Sequence, residues 1–326
     1  MSTVAVIFTG GTISMQADPV AGGNVPTLDG AAILARTPGL DEIAKVVPID
    51  RGLTPASHFT FPDLFGLAGA VEEAMRDTGV DGCVVVQGTD TIEETSFFLD
   101  LVLTTPKPVV VTGAMRSASQ PGYDGPANLR DAVRCAAAPA LRDQGVVVVL
   151  ASSIDAADDV TKTHASSLET FRSLNLGPLG RVEGDRVVVL RYRAGRRHVA
   201  TQRASERVHL ITAHVAMDGS LVDAALTAGA DGFVVEATGA GNTSGHLLDA
   251  CSRAMAAGLP VALTTRCPAG QAGAGYAFPG GGATWLKAGA MLAGYLGGPK
   301  ALVALALGIG AGLDQQGLAG LLADPV

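Results

Sequence analysis

Val4-Ala5-Val6-Ile7-Phe8-Thr9-Gly10-Gly11-Thr12 is the stretch whose reading decides the fold. Five apolar residues are too few for a helix, and without alternation they read as a parallel strand buried on both faces. The Thr-Gly-Gly-Thr that follows hands the chain to a loop. In open α/β sheets ligands bind at that carboxyl edge.

Working outward, comparable apolar runs recur at residues 84–86, 109–112, 146–151, 209–213, 233–236 and 261–265, separated by alanine-rich, helix-like stretches. Such alternation predicts α/β architecture, with parallel sheets covered by helices. Between residues 184 and 207 seven arginines stand among Val, Tyr and Gly, which breaks the rhythm and marks a domain connection. The expected organisation is a larger, doubly wound, mostly parallel N-terminal domain over 1–190, a linker over 191–208 and a smaller C-terminal α/β domain over 209–326. The segment 16–27, with Pro19, Gly22, Gly23 and Pro26, has too many breakers for a regular element and is expected to be a mobile lid beside Thr12.

A chain of 326 residues favours two domains. Hydrophobic residues at 48% against 17% charged imply much interior, or surface buried between subunits. A net charge of -8 repels phosphate backbones and anionic lipids, so neither nucleic acid nor membrane is an expected partner. Met1-Ser2-Thr3 enters a strand without a basic leader, and the apolar stretch 301–313 is too short to cross a bilayer, so the expected location is cytoplasmic. Four cysteines lack Cys-x-x-Cys spacing and six histidines lack His-Glu-x-x-His, so no metal site is expected.

Two further segments carry chemistry: Gly88-Thr89-Asp90-Thr91 and Thr161-Lys162-Thr163. The Thr12 hydroxyl is a poor nucleophile until a base shares its proton. Lys162 supplies one if burial lowers its pKa, Asp90 orients that ammonium and can bind a substrate amino group, and Thr89 links the two by donating and accepting. Backbone amides at Gly11 and Gly88 suit an oxyanion or a carboxylate. Taken singly, Thr-Gly-Gly-Thr is also a tight turn, Lys162 a surface lysine and Asp90 a helix N-cap, with Glu93 at capping-box spacing. Glu93 and Glu94 read as first-turn carboxylates at a helix dipole.

Val111-Thr112-Gly113-Ala114-Met115-Arg116 also ends a strand in a small-residue loop, where Ala114 offers a carbonyl to an amide substrate and Arg116 is expected in a structural ion pair. Asp124-Gly125-Pro126-Ala127-Asn128-Leu129 then opens a helix. Thr238-Gly239-Ala240-Gly241-Asn242 superficially suggests phosphate binding, but Gly245 falls one residue late for the dinucleotide fingerprint.

With these motifs in this order and spacing, the chain resembles the bacterial-type L-asparaginase family over nearly its whole length. The resemblance implies that Thr12 attacks a side-chain amide, releasing ammonia and leaving an acyl-enzyme that water hydrolyses. It implies that Thr89, Asp90 and Lys162 form a second catalytic group, and that no metal or organic cofactor is needed. It further implies a homotetramer of intimate dimers, with the C-terminal domain contributing to the dimer interface and Asn242 on an intersubunit loop as a substrate contact. Ala56-Ser57-His58-Phe59-Thr60 resembles the substrate-carboxylate loop, whose serine aligns with Ala56 or Ser57, and Ser57 is the named candidate.

Two departures stand out: Gly23-Asn24-Val25-Pro26 where the family commonly has a lid tyrosine, and Gln87 where a histidine commonly precedes Gly-Thr-Asp. Asn24 can hydrogen-bond to Thr12 but cannot act as a phenolate. The expected activity is hydrolysis of L-asparagine to L-aspartate and ammonia, with weaker glutaminase activity. The alternatives are a non-catalytic amino-acid-binding homologue and an amidase for a larger asparaginyl substrate.

Overall fold

The computed structural model describes residues 1–324; the expected C-terminal domain, 209–326, thus ends on two residues outside the described residues. Contacts divide the chain into two compact units, Met1–Arg196 and Arg197–Val326. The first is the larger, with a mostly parallel sheet; the second is a smaller α/β unit.

The first unit is built on five parallel strands, in the spatial order β7 (Val146–Leu150), β6 (Val109–Thr112), β5 (Gly82–Val86), β1 (Thr3–Phe8) and β4 (Lys45–Asp50). β5, β6 and β7 are buried at every position, as their unbroken valine runs require of strands covered on both faces. The chain passes from β1 to β4 on one side and then crosses to β5 on the other. The strand order therefore reverses about β1, and the crevice outside the carboxyl ends of β1 and β5 is the switch point where such sheets bind ligands.

Beyond β7 the sheet turns antiparallel through β8 (Ser153–Ala156), β11 (Gly180–Glu183) and β12 (Arg186–Val189). The β7–β8 turn puts Ala151 and Ser152 at positive φ, 47° and 61°, so the strand expected to reach residue 151 stops at Leu150. A side-chain oxygen of Asn128 takes the Ala151 amide, which holds the turn in this conformation. Between β8 and β11 the chain makes a separate two-stranded ribbon, β9 (Val160–Lys162) with β10 (Phe171–Ser173).

The segment expected to be an irregular lid is instead regular. β2 (Met15–Asp18) and β3 (Gly23–Pro26) form an antiparallel hairpin in the register Gln16 opposite Val25 and Ala17 opposite Asn24. Its turn is made by Asp18, whose carboxylate takes the amides of Val20 and Ala21, so Pro19 and Gly22 sit at the turn and Gly23 opens β3 opposite Asp18. β4 escaped notice because it is an exposed edge strand, with Pro48 and charges at both ends.

Helices α1 (Gly30–Ala35), α2 (Phe61–Arg76), α3 (Ile92–Val102) and α4 (Gly125–Ala136) belong to this unit. α2 starts with a capping box between Thr60 and Asp63, and α4 has Pro126 in its first turn. In the arginine-rich stretch, Arg193 and Arg196 bind the fully buried Asp100 within the first unit.

In the second unit four parallel strands, β13 (Val208–Thr212), β14 (Gly232–Ala237), β15 (Val261–Thr265) and β16 (Met291–Leu292), pair in sequence order. α5 (Ser220–Thr227), α6 (Gly245–Ala256), α7 (Gly282–Ala288), α8 (Gly298–Gly310) and α9 (Gln315–Leu322) complete it, with Trp285 fully buried in its core. Arg197 binds the Ala323 carbonyl and Asp324 there. Among the described residues no helix is long and apolar enough to cross a membrane.

Candidate active site

β1 and β5 pair side by side, so their carboxyl ends release Thr9-Gly10-Gly11-Thr12 and Gln87-Gly88-Thr89-Asp90 into the same crevice. Gly11, at φ 90°, packs its Cα directly on the neighbouring backbone: a Cβ there would stand 2.1 Å from the Gly88 nitrogen. Only glycine permits that approach. Gly113, at the end of β6, is similarly crowded, since its Cβ would lie 2.5 Å from the Gln87 carbonyl oxygen and 3.2 Å from Thr89 Cγ2. Three adjacent strand ends thus converge with bare backbone between them.

Thr12 is half-buried and opens a short 3-10 turn, Thr12–Ser14. The turn is tied on both sides. Ser14 Oγ donates to the Gly11 carbonyl at 2.7 Å, and Tyr123 Oη donates to the Ile13 carbonyl at 2.7 Å. Burial, with the Asp124 charge beside it, pushes the Tyr123 phenol up to about 12, so at neutral pH this tyrosine is a neutral donor and not a base. The Thr12 hydroxyl makes no hydrogen bond among the described residues.

The second cluster is closely joined. Lys162, at the end of β9, places Nζ 3.0 Å from Thr89 Oγ1 and 2.9 Å from Asp90 Oδ1. Thr89 is buried, the Lys162 side chain is 15% exposed and that of Asp90 69%. An ion pair this open contributes no more than about 1 kcal/mol to stability, so its geometry matters more than its strength. The ammonium donates to both acceptors directly; Thr89 does not relay between Lys162 and Asp90 as the sequence suggested. Nor is Asp90 a helix cap: it lies in a 3-10 turn, Thr89–Thr91, and α3 begins after Thr91 with no side-chain cap.

Of the other candidates, Gly88 and Ala114 are buried at the ends of β5 and β6, and Ser57 is exposed in a 3-10 turn, Ala56–His58. Thr91 Oγ1 donates to the Ala56 carbonyl at 3.1 Å, which fastens the Ser57 turn to the Thr89 turn. Asn24 is exposed on β3, and its side chain makes no hydrogen bond among the described residues, so the expected contact to Thr12 is not made. Gln87 is fully buried and donates to the Gly88 carbonyl at 3.3 Å and to Thr95 Oγ1 at 3.2 Å. Arg116 donates to the carbonyls of Pro121 and Gly122 instead of forming the expected ion pair.

The Asp124 carboxylate takes the amides of Met115 and Arg116, and Asn128 Nδ2 donates to Asp124 and to the Gly113 carbonyl, fixing the loop that carries Ala114. Asn242 lies in the second unit, where its main chain bridges to Thr238 after β14 and its side-chain oxygen is buried without a hydrogen-bond partner among the described residues. Among the described residues no three His, Cys, Asp or Glu side chains gather as a metal site requires.

Tyr123 was missed by sequence reasoning, although it stands immediately before Asp124-Gly125-Pro126. Nothing local to a lone tyrosine in a polar loop says that it reaches a carbonyl 110 residues away.

Known proteins match the chain in both of its parts. Residues 3–194 match the family model for the asparaginase N-terminal domain, and residues 207–322 that for the glutaminase/asparaginase C-terminal domain. The chain is 35% identical to a probable L-asparaginase of Deinococcus radiodurans, over 96% of this chain and 94% of that one. It is 33% identical to an L-asparaginase of Bacillus licheniformis, over 89% of each. It is also 32% identical to a glutamyl-tRNA(Gln) amidotransferase subunit of Methanothermobacter thermautotrophicus, over 82% of this chain and 63% of that protein. Matched in both of its parts, the chain belongs to the bacterial-type L-asparaginase family and is an amide-hydrolysing enzyme of that kind.

Proposed function

We propose that the protein hydrolyses L-asparagine to L-aspartate and ammonia, with weaker action on L-glutamine. The observation that carries this reading is the double contact of Lys162 Nζ with Thr89 Oγ1 and Asp90 Oδ1 at the carboxyl edge of the sheet. In this reading Thr12 Oγ1 adds to the amide carbonyl, the amides of Gly11 and Gly88 hold the oxyanion, and the C–N bond breaks with a proton delivered to the leaving nitrogen. Water then attacks the acyl-threonine beside Thr89, which the Lys162 ammonium orients, and the proton the water gives up returns to Thr12 Oγ1 as the acyl C–O bond breaks and L-aspartate leaves. Asp90 and Ser57 hold the α-amino and α-carboxylate groups, and the Ala114 carbonyl accepts from the substrate amide.

The lid hairpin carries no aromatic residue, so the Thr12 proton passes to a group other than a lid phenol and in the end to the leaving nitrogen. Assembly as a homotetramer of intimate dimers, with Asn242 reaching the site of a neighbouring subunit, completes the proposal, and four unpaired cysteines accord with a cytoplasmic location.

A second reading, an amide-hydrolysing component of a larger assembly, is favoured by the relative named as part of an amidotransferase. Ammonia release from L-asparagine, L-glutamine, D-asparagine and asparaginyl peptides, measured between neutral and alkaline pH on the purified chain alone, tests both. Release from L-asparagine first among these supports the first reading. No release from any free amino-acid amide overturns it.

A further inference from the structure

Lys162 is carried by a strand that the sheet does not hold. Among the described residues β9, three residues long, pairs with β10 outside the eight-stranded sheet, and no main-chain ladder joins it to the β5 edge where Thr89 and Asp90 lie. Asp159, at the root of the ribbon, accepts from Asn175 and Leu176, which closes the ribbon on itself. A lysine is a flexible four-carbon stem, and its Nζ is placed only as well as the strand beneath it.

The buried side chain of Val160 anchors the strand, and the next residue binds α3. Thr161 Oγ1 donates to Glu93 Oε2. Glu93 stands one helical turn beyond Thr89 and Asp90, so the three side chains lie on one face of the segment running from the 3-10 turn into α3. Thr161 and Lys162 are successive residues of β9 and leave the strand in different directions. The Thr89–Glu93 segment therefore meets the strand end twice, through Glu93 on Thr161 and through Thr89 and Asp90 on Lys162.

We propose that Glu93 is a positioning residue: through Thr161 it sets β9 at the height and register at which Lys162 Nζ reaches both Thr89 and Asp90. A first-turn glutamate would ordinarily be explained by the helix dipole alone, and that explanation demands only a charge. The positioning role demands an acceptor oxygen at this place, which glutamine also supplies and alanine does not. The proposal rests on the amidohydrolase reading for its kinetic consequence but not for its geometric one.

The test uses the full chain with Glu93→Ala, Glu93→Gln, Thr161→Val and the double Glu93→Ala/Thr161→Val. Two readouts are taken: steady-state hydrolysis of L-asparagine, and competitive acetylation of lysines by acetic anhydride, mapped by peptide mass. Expected are a fall in kcat of about 10- to 100-fold in Glu93→Ala and Thr161→Val with KM changed less, near-normal kcat in Glu93→Gln, and a double variant no worse than either single. Acetylation of Lys162 should rise several-fold in the same three impaired variants, while Lys45, Lys107 and Lys287 stay constant.

Unchanged Lys162 acetylation in Glu93→Ala overturns the proposal whatever the turnover. So does a Glu93→Gln as impaired as Glu93→Ala, or additive losses in the double variant. If the wild type itself releases no ammonia, the functional reading fails, and the acetylation result alone still decides the role of Glu93.

Discussion

Gly11 and Gly88 touch so closely that a Cβ on Gly11 would stand 2.1 Å from the Gly88 nitrogen, well inside van der Waals contact. This contact joins the turn that carries Thr12 to the turn that carries Thr89. Gly11→Ala must therefore separate the two turns, and its φ of 90° adds strain. The expected loss is about 1–3 kcal/mol of stability and about 100-fold or more in kcat. Gly258→Ala is the control, at φ 87° with nothing within 4 Å of its Cβ: it should cost about 1–2 kcal/mol and leave turnover intact. Equal kcat values for the two variants would show that the close approach does not matter.

Lys162→Met removes both hydrogen bonds to Thr89 and Asp90. Because the pair is open to solvent on the Asp90 side, melting should move by no more than about 1 kcal/mol, whereas kcat should fall about 10²- to 10⁴-fold. Lys162→Arg should not rescue, since a planar guanidinium cannot place one nitrogen on both acceptors with the same stem. Steady-state kinetics beside thermal melts check this, and a parallel loss of stability would reassign the lysine to the fold.

Tyr123→Phe leaves the Ile13 carbonyl without its donor and should cost about 1 kcal/mol, with a smaller kcat as the Thr12 turn loosens. The sign of its pH dependence follows from a folded pKa raised to about 12, above the unfolded value near 10. The tyrosine's contribution is complete below about pH 10 and is lost as pH rises through 12. Chemical denaturation of wild type and Tyr123→Phe should thus differ by a constant amount up to about pH 10 and converge above it. A gap that widens with pH would contradict the assignment.

Asp155 is fully buried on β8, and burial raises its pKa despite the 2.6 Å bond from Ser153 Oγ. For a carboxyl raised in the folded state, stability is greatest below the unfolded pKa and declines as pH climbs through the folded pKa. Asp155→Asn removes that titration, so the variant should gain on the wild type as pH rises from the acid range to neutrality. Melting temperatures of the two across that range decide it; parallel curves would mean that the carboxyl is not perturbed.

Legibility in the sequence followed how local each cause is. The valine runs of β5, β6 and β7 announce themselves because strands covered on both faces need unbroken apolar residues, and Thr89, Asp90 and Lys162 were readable because they sit in compact motifs. The lid hairpin was not, since its Pro and Gly residues read as breakers until the Asp18 turn gives them a place. Glu93 reads as a dipole residue because its partner Thr161 is 68 positions away. Tyr123 escaped for the same reason. Contacts of long sequence separation decide how the threonines are held, and no periodicity encodes them.

The most direct measurement is ammonia and aspartate release from L-asparagine by the purified wild type, Thr12→Val and Thr89→Val at neutral pH, with folding checked by circular dichroism. The account predicts equimolar ammonia and aspartate from the wild type, and losses of at least about 10³-fold in each variant with the fold retained. Absence of ammonia from the wild type, or full activity in both folded variants, would contradict it.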